Sequence, residues 1–423
     1  MAAQRHPERM ALVGADATLT YAELSRRAVE AAIALQGLGV RSGERVALAL
    51  QDRVEFAVAL HACLLLRTPV VPIDLRLAEP EQTLRARGTA VVVREPLHAS
   101  SGSLAPGKTI DRDAVAAVMH TSGTTSAPKP VELTFGNWMS NALGSAVALG
   151  LDLHERWLCP MPLVHVGGLS ILIRSAIYAT TVVAPERYDT ASVLAELMDR
   201  ERRITLVSLV PTMLARLLDA GLREPPTLRW ALLGGGPIAP SLLERAAAAG
   251  VPVASTYGMT EACSQIATHG WPLPGVEVAL DPDGEILVRG DIVAPGALAA
   301  GGWLYTGDLG SFDERGRLQI IGRKTDTIVT GGENVAPSEV EAALLEHPAV
   351  ADAGVYARAD PEWGEAIVAA VVARVPGSLS DGELRAHCAQ RLAPFKVPKA
   401  FRFVECLPRT ASGKLLRREL GAV

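Results

Sequence analysis

Short runs of consecutive apolar residues alternate along most of this chain with longer stretches whose apolar positions recur every three or four residues. Thr20-Tyr-Ala-Glu23 sets a hydroxyl three residues ahead of a carboxylate. That is the arrangement of a capping box, and it predicts a helix to about Gly37. RVALAL (45–50) and PVVPI (69–73) predict strands, with a helix over VEFAVALHACLLL (54–66) between them. The rhythm returns as strand TVVA (181–184), a helix over 191–201, strand ITLVSLV (204–210), a helix over 212–219, strand WALLGG, a helix over 241–249 and strand VPVAS. Strands that are apolar throughout, rather than at every second residue, have both faces covered. The pattern therefore predicts an α/β fold of parallel sheets under helices.

Near residue 275 the pattern changes. GVEVALDPDGEILVRG predicts a hairpin turning at Asp281-Pro-Asp-Gly284, and FDERGRLQIIGR a second around Glu314-Arg-Gly316. Beyond Lys324 a separate set begins, with a capping box predicted at Ser338-Glu-Val-Glu341. Strands AGVYA and IVAAVVARV, a helix over 380–392 and strand FRFVEC (401–406) complete it. The expected partition is a large part of stacked α/β sheets with a small antiparallel β region, residues 1–324, and a small α+β part, residues 325–423. No fixed-period repeat is present.

Composition narrows the classes. At 423 residues the chain exceeds what one core supports, and 49% hydrophobic residues suffice for large cores and argue against disorder. Lys plus Arg total 41 against 46 Asp plus Glu, so the net charge of −5 gives no footprint for nucleic acid. The first twenty residues are charged throughout, without the apolar stretch of a secretory leader. The longest uncharged apolar run, Trp157 to Ile173, is interrupted by Pro, His and Gly and is too short to cross a membrane. Five scattered Cys, none in a CxxC pair, fit reduced thiols in a cytoplasm rather than disulfides or a zinc site. Composition does not decide oligomeric state, and a homo-oligomer stays open. Only six of the 41 basic residues are Lys: 108, 129, 324, 396, 399 and 414. Since an ammonium is a compact point charge and a guanidinium a planar fork, each remaining Lys carries some weight; a composition bias of the genome is the competing reading.

The segment Val118-Met-His-Thr-Ser-Gly-Thr-Thr-Ser-Ala-Pro-Lys-Pro130 follows a strand-like VAAV and offers five hydroxyls, a Gly and a Lys in close succession. Such a loop can bend around phosphate oxygens. Pro128 and Pro130 stand where a Walker motif needs Gly and Ser or Thr, so that motif is excluded. A Ser/Thr-rich surface turn is the competing reading.

Thr121 to Lys129 resembles the phosphate loop of the ANL superfamily, which comprises acyl-CoA synthetases, peptide-synthetase adenylation domains and luciferases. Five further motifs line up in order: Ser255-Thr-Tyr-Gly-Met-Thr-Glu261, Gly284-Glu-Ile-Leu-Val-Arg-Gly290, Tyr305-Thr-Gly-Asp-Leu309, Gly322-Arg-Lys-Thr-Asp326 with Gly331-Gly-Glu-Asn334, and Pro408-Arg-Thr-Ala-Ser-Gly-Lys414. Ser126 and Pro130 replace two usual Gly of the loop, which predicts altered loop stiffness. The resemblance implies the ANL fold with a mobile C-terminal domain, and a two-step reaction. A carboxylate attacks the α-phosphate of ATP with Mg²⁺, and the thiol of coenzyme A then displaces AMP. It implies phosphate contacts from Thr121, Ser122, Gly123, Thr124, Thr125 and Lys129, and a catalytic Lys414 bridging the carboxylate and α-phosphate. Asp308 and Arg323 would take the ribose. Tyr257 would stack on adenine, with Gly234-Gly-Gly236, Thr256 and Gly258 around it. Thr260 would meet the α-phosphate and Glu261 would hold Mg²⁺. Thr325 matches the hinge between the two half-reactions; Gly331, Gly332, Trp363, Lys396 and Lys399 are candidates for the CoA site. The competing readings are a solvated Lys414, turn chemistry at Asp308, a helix-start acid at Glu261, a packed Trp363 and a solvated Lys pair.

Two features bear on the acid. The chain is short for the superfamily, and Met161-Pro-Leu-Val-His-Val-Gly-Gly-Leu-Ser-Ile-Leu-Ile-Arg174 resembles the corresponding segment of o-succinylbenzoate–CoA ligases of menaquinone biosynthesis. Their dicarboxylate has one carboxylate activated and an aromatic one to be held. Arg174, on an otherwise apolar helix, suits the second as a bidentate partner; the competing reading is an Arg that snorkels to solvent. His165 would gate or line the acyl pocket, with Ser208 and Thr256 as further lining. Rival readings are a general aryl or medium-chain acyl-CoA synthetase, which needs no Arg174, and a free-standing carrier-loading adenylating enzyme, disfavoured as a module because no carrier segment follows Val423. A catalytically dead nucleotide-binding relative is the third.

Overall fold

The computed structural model describes residues 2–98, 102–104, 109–121, 129–409 and 415–422. The runs that are apolar throughout form the centres of two sheets. The larger has nine strands, in the order Trp271–Pro272, Ser264–Thr268, Val253–Met259, Trp230–Leu233, Leu206–Leu209, Arg156–Leu158, Thr181–Val183, Met10–Val13 and Thr18–Thr20. Its six consecutive strands from Val253–Met259 to Met10–Val13 are parallel. The second sheet runs Val91–Val93, Val46–Leu48, Val70–Pro72, Val115–Thr121 and Lys129–Thr134. Period-two alternation sends Trp157, Leu206 and Leu232 into one core and Leu158, Val207 and Leu233 into another on the opposite face. Helices Tyr21–Gly37, Arg53–Leu66, Phe135–Leu149 and Val166–Tyr178 share the first core with both sheets and lie between them. Helices Thr190–Met198, Pro211–Asp219 and Pro240–Ala248 cover the outer face of the larger sheet.

Antiparallel strands appear at the sheet edges, where the apolar pattern predicted only parallel ones. After Val253–Met259 the chain turns through the 3₁₀ segment Thr260–Ala262, and Cys263 adopts a left-handed φ of 53°. Ser264–Thr268 then runs back beside the strand it came from. Likewise Lys129–Thr134 returns antiparallel to Val115–Thr121, so the segment expected to contact phosphate has a strand on either side.

Both predicted hairpins form within one four-stranded antiparallel sheet, Glu277–Leu280, Glu285–Arg289, Leu304–Phe312 and Leu318–Arg323. At the first turn the Asp281 carboxylate accepts from the N–H groups of Asp283 and Glu285 at 2.9 and 2.8 Å, and Gly284 takes φ +83°. A short 3₁₀ turn, Lys324–Asp326, leads into the last sheet, in which Gly364–Ala373 pairs with Val350–Asp360, Ile328–Thr330 and Ala400–Phe403. Helices Pro337–Leu345 and Asp381–Ala389 pack Val340, Leu344, Leu384 and Cys388 against Ile367 and Val371.

The Thr20–Glu23 capping box forms as expected, with both reciprocal bonds. The one predicted at Ser338–Glu341 does not. Ala336 is the N-cap, and the Ser338 hydroxyl donates to the Ile321 carbonyl at 2.5 Å. Glu341 turns inward to accept from the Val355 N–H at 2.7 Å. All five Cys are free, four of them buried. Among the described residues no helix is long and apolar enough to cross a membrane.

Candidate active site

The site collects at the carboxyl ends of the parallel strands, where an open α/β sheet leaves a crevice. Gly258 occupies a bulge in Val253–Met259; a Cβ there would lie 1.6 Å from the Ser264 carbonyl oxygen, so no other residue fits. Gly234 serves packing first: its Cβ would sit 2.9 Å from the Thr256 carbonyl oxygen. Gly235, at φ +78°, and Gly236 are exposed at the strand end and form the open part of the run.

Asp308, expected from the sequence to take the ribose, is held by several neighbours. It pairs across neighbouring strands with Arg323, and its Oδ1 meets the Arg323 Nε at 2.8 Å. The Tyr257 hydroxyl donates to Oδ2 at 2.8 Å. Asp308 is 7% exposed, so burial and these charge-assisted bonds fix the carboxylate's orientation. Burial, and then the charge of Asp308, push the Tyr257 phenol far up, and it stays a neutral donor. The Arg323 guanidinium also donates to the Thr306 carbonyl at 3.1 Å, while the Thr306 hydroxyl accepts from the Asp308 N–H at 3.1 Å. Each carboxylate oxygen has two lone pairs, so the group can accept from several donors at once.

Thr260 and Glu261 lie half-buried on the 3₁₀ turn after Met259. The Glu261 backbone carbonyl accepts from the Ala294 N–H at 2.8 Å, and among the described residues no ion pair engages its side chain. No cluster of three or more acids, His or Cys able to hold a metal occurs among the described residues. A lone half-exposed carboxylate fits Mg²⁺, which is commonly held by one or two protein carboxylates plus phosphate oxygens and water.

His165 is the N-cap of helix Val166–Tyr178, and its side chain makes no cap bond. Its Nε2 is buried without a hydrogen-bond partner. Burial first, then the Arg76 charge, hold the imidazole below its ordinary pKa, with Asp74 opposing. Asp74, in turn, is gripped at both oxygens by Arg76, at 2.7 and 2.6 Å. Burial therefore favours the neutral imidazole. The Asp74–Arg76 pair was not foreseen. The available signal was its place just past the apolar strand PVVPI, at a parallel strand's carboxyl end.

Arg174 does not snorkel. It is 2% exposed, bonds the Asn141 side-chain oxygen and lies 5.8 Å from the Trp157 ring centroid. Its Nε has no partner, and among the described residues no carboxylate pairs with it. Nine residues of helix place it roughly 13 Å along the axis from His165. Ser208 and Thr256, expected to line the acyl pocket, spend their hydroxyls on the protein. Ser208 accepts from Trp157 Nε1 at 3.0 Å and Thr256 donates to the Ala267 carbonyl at 2.9 Å.

Ser122, Gly123, Thr124, Thr125 and Lys414 lie outside the described residues. Thr121 and Lys129, the described ends of the segment expected to contact phosphate, are paired across adjacent strands, with Lys129 exposed. The segment carrying Lys414 is flanked by an antiparallel bridge between Arg409 and Leu415, by an Arg409–Asp352 ion pair at 2.8 Å, and by Arg417, which pairs with Glu341 and Asp326. Thr325 is exposed at the middle of the 3₁₀ turn. Among the CoA candidates, Gly331 at φ +60° packs against the Trp363 ring, and Lys399 Nζ sits 4.1 Å from that ring's centroid. Gly332 follows at φ +84° in open space. Lys396 is not a solvated partner of Lys399; it pairs with Glu339 at 2.6 Å.

Residues 1–93 and 79–298 match the profile of the AMP-binding enzymes, and residues 339–414 that of the AMP-binding enzyme C-terminal domain. The chain belongs to the AMP-binding enzymes. The 2-succinylbenzoate–CoA ligase of Bacillus licheniformis is 39% identical over 470 residues, covering 99% of this chain and 98% of the relative. The o-succinylbenzoate coenzyme A synthetase of Bacillus subtilis in complex with ATP and magnesium ion superposes with a TM-score of 0.90 at 38% identity, over 99% of this chain and 98% of that one. A double mutant of the same synthetase, bound with the product analogue OSB-NCoA, gives a TM-score of 0.74 at the same 38% identity, over 100% and 97%. Within the AMP-binding enzymes, then, the chain falls in the 2-succinylbenzoate–CoA ligase family.

Proposed function

We infer that this chain is an AMP-forming acid–thiol ligase that adenylates o-succinylbenzoate with ATP and passes the acyl group to coenzyme A, a step of menaquinone biosynthesis. The observation that carries the reading is the buried Asp308 carboxylate held by Tyr257 and Arg323 at the sheet crevice, in a chain matched over its whole length by ligases of that acid. Asp308 accepts the ribose hydroxyls, with Arg323 and Tyr257 fixing its direction. Gly235 and Gly236 leave room for the nucleotide beside Tyr257. Glu261 would hold Mg²⁺ together with the phosphates, and the ion would supply positive charge opposite the triphosphate. Thr260 and Lys129 contact the phosphates, and Lys414 bridges the attacking carboxylate and the α-phosphate. The buried imidazole of His165, held toward its neutral form, lines the acyl pocket without competing for those anions.

Arg174 takes the aromatic carboxylate. A buried guanidinium facing only neutral groups is costly, and an incoming carboxylate would supply the missing counter-charge. The large part ends at Lys324 and the small part begins at Thr325, the hinge. The closer match to the ATP–magnesium complex than to the product-analogue complex, at equal identity, supports a change of arrangement between the two half-reactions. Gly331, Gly332, Trp363 and Lys399 form the CoA face. The chain works in the cytoplasm, free of nucleic acid and membrane.

Purified protein with ATP, Mg²⁺, CoA and o-succinylbenzoate should release AMP and form the mono-CoA thioester. Far better turnover of benzoate or octanoate would replace the substrate assignment with a general acyl-CoA synthetase. Arg174→Met should cut turnover of o-succinylbenzoate much more than that of a monocarboxylic analogue. Equal losses would return Arg174 to a packing role.

A further inference from the structure

Glu285, first residue of the strand Glu285–Arg289, is a buried acid with 8% exposure that the nucleotide site does not use. Its two oxygens reach different parts of the molecule. Oε1 accepts from the Gly307 N–H at 2.9 Å, and Gly307 immediately precedes Asp308. Oε2 accepts from the Lys324 ammonium at 3.1 Å, and Lys324 stands between Arg323 and Thr325. Asp283 and Asp281 lie 3.3 and 3.9 Å from the same ammonium. On the far side of Thr325, Asp326 pairs with Arg417 at 3.1 Å, and that guanidinium is bonded inward to Glu341 and the Val355 carbonyl. Residue 324 is thus tied to the antiparallel sheet and residue 326 to the last sheet. Among the described residues, the Thr325 hydroxyl between them reaches only Asp326, at 3.4 Å.

We propose that Glu285 is a positioning residue that couples the ribose carboxylate to the hinge, by holding the Gly307–Asp308 turn and the Lys324 ammonium in one rigid unit. The inference rests on the reading of Asp308 as ribose ligand and Thr325 as hinge. Withdrawing Lys324 would leave a buried carboxylate with one neutral donor, an expensive state. Lys324 therefore stays with the antiparallel sheet while the C-terminal part turns, and Asp326 travels with Arg417. Rotation is confined to the backbone at residue 325, and it starts from a base registered on the nucleotide.

Glu285→Gln keeps an acceptor for the Gly307 N–H and removes the charge that holds Lys324. Lys324→Met, on a side chain 41% exposed, removes the same bond from the other end and serves if the first variant folds poorly. Both variants and their double are measured in two assays. One is pyrophosphate exchange with ATP and o-succinylbenzoate; the other is thioester formation from supplied acyl-adenylate and CoA. The expected result is an ATP KM within about twofold of the parent and thioester formation lowered on the order of tenfold in each single variant, with the double no worse than either. A raised ATP KM with thioester formation untouched would confine Glu285 to the ribose side and overturn the coupling. So would losses that multiply in the double variant, or no change at all. Thr325→Pro is run alongside, because a fixed φ resists rotation. If it leaves the ratio of the half-reactions unchanged, the hinge reading itself fails. If Thr325→Pro blocks thioester formation and Glu285→Gln does not, only the coupling fails.

Discussion

The Asp308 carboxylate is held by a phenol and a guanidinium, so its neighbours hold the geometry even when its charge is removed. Asp308→Asn should raise the KM for ATP roughly ten- to a hundredfold, the loss of about 1.5–3 kcal/mol expected for a charged hydrogen bond, with Tm little changed. An unchanged KM would take Asp308 out of the ribose site. His120 gives a pH prediction. Burial, then the charges of Arg85 and Arg45, push it down to about 4, and its Nδ1 has no partner. An unfolded His takes its proton near pH 6.5. Below that value the unfolded chain binds more protons, so this contribution to stability is complete above pH 6.5 and lost as pH falls toward 4. Thermal melts from pH 7 to 4.5 should fall less steeply in His120→Asn than in the parent; parallel curves would show that His120 is not the group responsible. Asp308 and Arg323 were legible in the sequence because their motifs carry them. The Asp74–Arg76 grip near His165 was not, because residues 91 positions apart meet only once the sheets have stacked.

Local signals and distant partners compete at the level of the element. Thr20/Glu23 and Ser338/Glu341 read alike as capping boxes. In the second, Pro337 enters the first turn and Arg417 claims the acid from 76 residues away, so the helix starts differently. At Ser380, followed three residues later by Glu383, the box does form and heads the helix Asp381–Ala389. Ser380→Ala should lower stability by about 1 kcal/mol in denaturant melts, as for other lost N-caps. A loss near zero would mean that packing of Leu384 and Cys388 alone sets this helix. Both hairpins were legible from Asp281–Gly284 and Gly316, whose turn chemistry is local. The antiparallel return after Met259 was not, since it depends on a left-handed conformation at Cys263, a residue type that gives no turn signal.

Across the whole molecule the order of the motifs was readable, but the bonds between their strands were not. Three acidic partners at the Asp281–Glu285 turn, all on the Lys324 ammonium, and one Arg near the end of the chain flank Thr325, the proposed hinge. Their sequence separations, 39 residues for Glu285–Lys324 and 91 for Asp326–Arg417, hide the arrangement from any local pattern. If the C-terminal part turns between half-reactions, CoA added to enzyme loaded with a non-reactive acyl-adenylate analogue should change the distance between the two parts. A constant distance would remove the alternation. The thiols supply the means to see it. Cys63, Cys159, Cys263 and Cys388 are buried, burial holds each of their pKa values above the usual thiol range, and Cys406 alone is exposed. Thiolate is the reactive form, so maleimide reagents should modify Cys406 first. The native chain thus carries one addressable fluorophore position on the C-terminal part, and a single added cysteine on the N-terminal part would complete a donor–acceptor pair.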